Sequence, residues 1–290
     1  WGPLVQADLR DTAVIVEAIR RHRCEAVLHF AASAYVGESV TDPAKYYENN
    51  VAGTLSLLRA MRTAGLKVLV FSSTCAVYGE PARVPIAEDT ALAPINPYGA
   101  SKLMVERILA DFRPAYGLNS IALRYFNAAG ADPEGELGEL RDPETHLIPR
   151  AMMALQGYIA DFTVFGADFE TPDGTAIRDY VHVSDLADAH VAALGKLLAG
   201  APGGVFNLGT GRGCSVREVL AAIESETGAR LPGASGPRRS GDPAVLVASA
   251  SRAQETLGFN PVRSDLASIV RTAWAWHRRA HPRRNAPPAR

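Results

Sequence analysis

Apolar residues arrive along this chain in two alternating rhythms. Short runs at residues 26–30, 67–71 and 119–125 are rich in Val, Leu, Ile and Phe. Their length and content predict strands buried in a sheet. Between them lie longer stretches, 11–20, 42–64 and 98–112, in which apolar residues recur three and four apart. That spacing predicts amphipathic helices. Gly65 marks the end of the second, and Pro97 suits the first turn of the third. Strands alternating with helices point to an α/β fold: a Rossmann-like, doubly wound and mainly parallel sheet covered on both faces.

The texture changes near residue 130. Residues 131–142 are rich in Gly, Glu and Pro and read as a loop or lid. A helix is expected near 147–156, a short strand at 162–165, and a helix capped by Ser184 running to Leu198. Residues 231–243 read as a basic, Gly/Pro-rich loop. Trp274, Trp276 and His277 end the last helix, and 285–290 read as a frayed tail. The expected division is residues 1–130 as one domain and 131–290 as a smaller C-terminal lobe, with some segments returning to the first.

Composition narrows the function classes. At 290 residues, 47% hydrophobic and 21% charged, the chain has the make-up of a soluble globular protein. A net charge of -1 gives no electrostatic case for nucleic acid or an anionic membrane. No apolar run reaches the length of a membrane span. Cys24, Cys75 and Cys214 are odd in number and widely spaced. They fit neither a disulfide framework nor a CxxC metal site, and they agree with a reducing, cytoplasmic setting. His182, Asp185, Asp188 and His190 would not share one helix face, so no metal site is expected there. The first residue is Trp1 rather than Met.

The most chemically pointed segment is Asn96-Pro97-Tyr98-Gly99-Ala100-Ser101-Lys102. A Tyr and a Lys at i and i+4 lie on one helix face. A free tyrosine has a pKa of about 10, and a nearby cation lowers it toward the range of a useful base. A YxxxK on a helix is common with a merely solvated lysine. Here, however, the strand before it ends in Ser72-Ser73-Thr74. Ligands in open α/β sheets sit beyond such strand ends. Thr74 could hold a substrate hydroxyl while Tyr98 takes its proton, chemistry that suits hydride transfer to a nicotinamide.

These segments, with His29-Phe30-Ala31-Ala32, Tyr47-Glu48-Asn49-Asn50-Val51, Leu123-Arg124-Tyr125-Phe126-Asn127, Arg178-Asp179-Tyr180-Val181-His182 and Asn207-Leu208-Gly209, resemble the extended short-chain dehydrogenase/reductase superfamily and, within it, the UDP-hexose 4-epimerases. They run in family order from about residue 4 to about residue 277. The resemblance implies tightly held NAD, a UDP-sugar substrate, and a first domain that binds the cofactor while the second binds the sugar nucleotide. It implies Thr74, Tyr98 and Lys102 as the catalytic trio, each also beside the cofactor. It places Asp8, Leu9, Phe30, Ala31, Ala32, Asn49, Tyr125 and Phe126 at the cofactor as well. Asn127, His146, Leu147, Val164, Phe165, Arg178, Arg239 and Asp242 would contact substrate, the two arginines through its diphosphate.

Departures from the family pattern carry expectations of their own. No GxxGxxG follows a strand, so the family's phosphate-binding turn has no counterpart. If residues 4–8 are the family's third strand, a first βαβ unit of roughly 30 residues is missing. That leaves an inactive, nucleotide-sugar-binding fragment as the alternative of a different class. Cys75-Ala76 after Thr74 lack the Asp-Glu pair that a 4,6-dehydratase is expected to carry. Pentose or N-acetylated sugars, the latter governed near Leu246, stay open as alternatives. The resemblance also implies a homodimer through the helices at 42–64 and 98–112.

Overall fold

The computed structural model describes residues 2–160, 162–231, 233–238 and 242–280. Arg239 and the tail at 285–290 lie outside the described residues. The first half of the chain runs through helix α1 (Thr12–Arg21), strand β1 (Val27–His29), α2 (Val36–Thr41), α3 (Pro43–Tyr46), a π turn (Tyr47–Ala52), α4 (Gly53–Ala64), β2 (Val68–Thr74), a 3-10 turn (Cys75–Tyr78), α5 (Pro97–Tyr116), β3 (Asn119–Tyr125) and β4 (Asn127–Ala129). The second half adds α6 (Leu147–Leu155), β5 (Thr163–Phe165), β6 (Ile177–Arg178), β7 (Tyr180–His182), α7 (Val183–Leu198), β8 (Gly204–Leu208), β9 (Cys214–Ser215), α8 (Val216–Thr227), β10 (Ala234–Gly236), β11 (Val245–Leu246), α9 (Ser251–Leu257) and α10 (Leu266–Ala280).

These gather into two compact units. Unit 1 is Trp1–Pro81, Glu88–Arg124 and His190–Asn207; unit 2 is Ala82–Ala87, Tyr125–Ala189 and Leu208–Arg290. Unit 1 is built on a Rossmann-type sheet of order β1-β2-β3-β8, with β1 parallel to β2. The run Val68-Leu69-Val70-Phe71 suits β2, because a strand covered on both faces needs an unbroken apolar stretch. Its core joins Leu57, Leu58 and Met61 of α4 to Leu69 and Phe71 of β2 and Val105 and Leu109 of α5. The side chain of Asn96 accepts from Gly99 N at 2.9 Å, Pro97 opens the helix, and Gly117 closes α5 at φ 69°.

Unit 2 holds small sheets: β4 beside β7, β5 beside β10, and β6 between β11 and β9. Its core is helical. Ile148 and Met152 of α6 pack with Val219 and Ile223 of α8 and Ile269 and Val270 of α10. Buried Asp179, between β6 and β7, accepts from Thr210 N, Thr210 Oγ1, Gly211 N and Ala248 N. One carboxylate thus ties three separate segments together.

Several expectations need correction. Residues 4–8 form no strand, and Leu4 is 91% exposed. Among the described residues no strand lies beside them to take their N–H and C=O groups. The helix expected over 42–64 is interrupted. Asp42 caps α3, and the chain widens into the π turn before α4 begins. The helix after residue 182 is not capped by Ser184; instead His182 Nδ1 accepts from Ser184 N at 3.1 Å. The loop expected at 231–243 contains β10, which pairs with β5 because both edges are otherwise open.

Candidate active site

The residues that carry chemistry in unit 1 meet at the end of β2 and the start of α5. Thr74 is the last residue of β2, 7% exposed, and its Oγ1 accepts from Ala76 N at 3.1 Å to cap the 3-10 turn. Tyr98 and Lys102 sit one turn apart on α5, buried at 9% and 3% exposure. Lys102 Nζ donates to Ser72 O at 2.8 Å and lies 4.8 Å from the Phe71 ring and 6.0 Å from the Tyr98 ring. Burial pulls its pKa down to about 8, with the Glu106 carboxylate opposing the fall. Tyr46 braces Tyr98 edge to face at 6.5 Å, and Tyr46 is itself fixed by bonds to Tyr35 O and Glu38.

The structure places the other cofactor candidates as follows. Phe30 and Ala31 are exposed just after β1, and Ala32 follows them half-buried. The Phe30 ring lies 4.7 Å from that of His190. Asn49 lies in the π turn and donates to Asn50 Oδ1, whose own amide holds Ser33 O and Ser101 Oγ. A π turn inside a helical stretch commonly marks a functional position. Leu9 packs against the unit 1 core. Asp8 is exposed and grips Arg10, which holds its carboxyl well below the usual range. Tyr125 and Phe126 fall in unit 2, at the end of β3 and just beyond it.

This donor set fits a nicotinamide nucleotide. Among the described residues Lys102 Nζ donates one hydrogen bond, leaving two of its three protons for a ligand's hydroxyls. A tyrosine hydroxyl one turn away and a threonine hydroxyl at the strand end complete the polar groups that such a cofactor's reacting end requires.

Beneath the trio lies a polar network whose members the motifs contained without declaring a role. Glu106, one turn past Lys102, accepts from Ser73 Oγ and from both Nε and Nη2 of Arg124. Arg124 Nη1 reaches Tyr78 Oη at 2.9 Å, and Tyr78 donates to Asn207 Oδ1 at 2.6 Å. Glu106 and Arg124 are 8% and 3% exposed. The only signal for them was position: Glu106 follows Lys102 by four, and Arg124 ends an apolar strand.

In unit 2, Asn127, His146 and Leu147 line one pocket with Glu139, Tyr180 and Trp276. His146 Nδ1 lies 2.8 Å from Glu139 and 3.1 Å from Glu144. Burial disfavours the imidazolium, but the two carboxylates outweigh it and raise the pKa to about 9. Glu139, Glu144 and His146 present ligand atoms within 4.8 Å of one another, and the charged ring already pairs with both carboxylates. The loop bearing Glu139 is held by Trp276 Nε1, which donates to Glu139 O at 2.9 Å. Arg178 pairs with Asp242, bringing two of the predicted substrate contacts together. Val164 and Phe165 lie on β5 against β10, apart from the pocket-lining residues.

Comparison with known proteins places this geometry. Residues 2–209 match the model of the NAD dependent epimerase/dehydratase family. The chain is 51% identical over 281 residues to the UDP-glucose 4-epimerase of Rhizobium leguminosarum bv. trifolii, covering 97% of this chain and 86% of that protein. It is 48% identical over 278 residues to that of Lactobacillus helveticus, covering 96% and 84%. Its fold superposes with TM-score 0.93 on the UDP-glucose 4-epimerase from Brucella ovis in complex with NAD, at 56% identity over 95% of this chain and 85% of that one. The enzyme from Bifidobacterium longum in complex with NAD+ and UDP gives 0.89 at 39% identity, over 95% and 82%. A tyrosine–lysine pair beyond a parallel strand, on a chain this similar along nearly all its length, belongs to the NAD dependent epimerase/dehydratase family.

Proposed function

We propose that this chain is a UDP-glucose 4-epimerase, interconverting UDP-galactose and UDP-glucose through a 4-keto sugar with NAD held throughout the cycle. One observation carries it: the buried Lys102 ammonium stands one helical turn from Tyr98, just beyond the strand that ends in Thr74. The names of the relatives support the same substrate pair.

When bound, NAD supplies the acceptor and later the donor of a hydride at sugar C4. Tyr98 as phenolate takes the proton of the 4-hydroxyl, and the charge on Lys102 keeps that phenolate accessible near neutral pH. Thr74 spends an oxygen lone pair on Ala76 N and keeps its own proton to donate to the 4-oxygen. Once the ketone has turned, Tyr98 returns the proton and the C4 centre is inverted. Cys75 and Ala76, beside Thr74, offer no acid/base pair for the water elimination of a dehydratase.

Asp8, Leu9, Phe30, Ala31, Ala32, Asn49, Tyr125 and Phe126 are the proposed cofactor contacts. Asn127, His146, Leu147, Val164, Phe165, Arg178, Arg239 and Asp242 are the proposed substrate contacts. A homodimer in a reducing cytoplasm completes the proposal; Cys24, Cys75 and Cys214, which form no disulfide, accord with that setting.

The test is conversion of UDP-galactose to UDP-glucose by this chain with NAD added. Tyr98→Phe should lose about a hundredfold or more in turnover while still binding UDP. Absence of turnover in the wild type, or near-normal turnover in the variant, would count against the assignment.

A further inference from the structure

Glu106 is a charged group in a place where charge is costly. It is 8% exposed and its partner Arg124 is 3% exposed. A buried ion pair is weak evidence for stability, since apolar residues of the same shape often serve as well or better. Its contacts point to another use. Ser73 Oγ donates to Glu106, and Ser73 immediately precedes Thr74. Arg124 gives it Nε and Nη2, and Arg124 immediately precedes Tyr125. On α5 itself, Glu106 lies one turn beyond Lys102, as Lys102 lies one turn beyond Tyr98. One carboxylate thus touches the ends of β2 and β3 and shares a helix face with the trio's cation.

The charge tally sharpens the point. Lys102, Glu106 and Arg124 together carry one net positive charge; without the carboxylate, two buried cations would face each other. An arginine keeps its proton under such stress and a lysine does not. The other ionisable groups around Lys102 do not replace the anion. His29 on β1 is pushed down to about 4 by burial and then by Lys102, so it is neutral at working pH. His190 on α7 bonds to Ser72 Oγ, Tyr46 is a phenol bonded to Glu38, Tyr98 is the base that the Lys102 charge serves, and Glu88 accepts from Asn207 N.

We propose that Glu106 is a positioning residue for the reaction: its carboxylate keeps the Lys102 amine charged beside Tyr98 and holds the β2 end, and with it Thr74, in register. This rests on Tyr98 and Lys102 being the proton-transfer pair.

The experiment compares kcat against pH for the wild type, Glu106→Gln and Glu106→Asp. Glutamine keeps the shape and loses the charge: its one oxygen can accept from Arg124 while its amide N–H donates to Ser73 Oγ. Burial pulls the Lys102 pKa down to about 8, so kcat should fall as pH rises through about 8. In Glu106→Gln that fall should move to lower pH by about one unit, with KM for UDP-galactose little changed. In Glu106→Asp, whose carboxylate is withdrawn by one methylene, the fall should move the same way by less.

An alkaline fall that stays in place in the variants, or a loss equal at every pH, overturns the proposal. Should the glutamine variant fail to give a native circular dichroism spectrum, the aspartate variant decides alone. Failure of the wider assignment looks different: Tyr98→Phe would keep its turnover, whatever Glu106 does.

Discussion

The residues proposed to do chemistry and the residues that hold them differ in how far a sequence reveals them. Tyr98 and Lys102 are four apart on one helix, so their proximity is a property of local geometry and was legible. Thr74 was legible from the apolar run that ends in hydroxyls. Glu106 and Arg124 are 18 residues apart and on different elements, and only the sheet brings them together. His146 shows the same limit. Its place beside Asn127 and Leu147 in one pocket followed the family motif, but Glu139 comes from a loop with no pattern to read. The imidazolium, raised from 6.5 to about 9, ties that loop to Glu144. A raised histidine contributes stability in full below its unfolded pKa and loses it as pH climbs through the folded value. His146→Asn should therefore melt below the wild type at about pH 6, and the gap should close above about pH 9. A gap of constant size across that window would show that His146 acts by packing and not by charge.

Elements were predicted best where period and punctuation agreed. Helix α5 had both at its start, where Pro97 opens it, but the end expected at 112 fell short of Tyr116, because the helix carries on through Pro114 to Gly117. The stretch from 42 to 64 had a helical period but hid the π turn, because one widened turn leaves the spacing on either side intact. Strand β10 was hidden by its Gly and Ser content, being recruited by β5 rather than by its own propensity. The junction between β2 and α5 was legible as a sequence of hydroxyls and prolines, but its tightness was not. A Cβ on Gly99 would stand 2.5 Å from Ala76 O and 3.1 Å from Pro94 Cβ. The first turn of α5 therefore rests backbone against backbone on the 3-10 turn that follows Thr74. Gly99→Ala should force the two apart, at a cost of about 1–3 kcal/mol. It should also lower kcat, because Tyr98 is the neighbouring residue. A variant with the wild type's melting temperature and kcat would refute that close contact.

For the molecule as a whole, the α/β class and the parallel Rossmann-type sheet could be read from alternation alone. The route of the chain could not. Period and composition say where an element begins and ends, not which sheet it returns to. Segment His190–Asn207 belongs to unit 1 although 65 residues of unit 2, Tyr125–Ala189, precede it. It brings strand β8 to the sheet, His190 to Ser72 and Asn207 to Tyr78, contacts that span 118 and 129 positions. That route has a consequence during synthesis. When β3 has followed Tyr98 and Lys102 out of the ribosome, the sheet still lacks a strand, and β3 stands as an open edge. The unit that carries Tyr98 and Lys102 cannot close until residue 207 has emerged, by which time nearly half of the other unit's chain is already outside. Nascent chains stalled so that residue 189 is the last exposed should be cut readily by protease within 1–124. Chains stalled beyond 207 should resist, and equal resistance at both lengths would mean that unit 1 closes without its last strand.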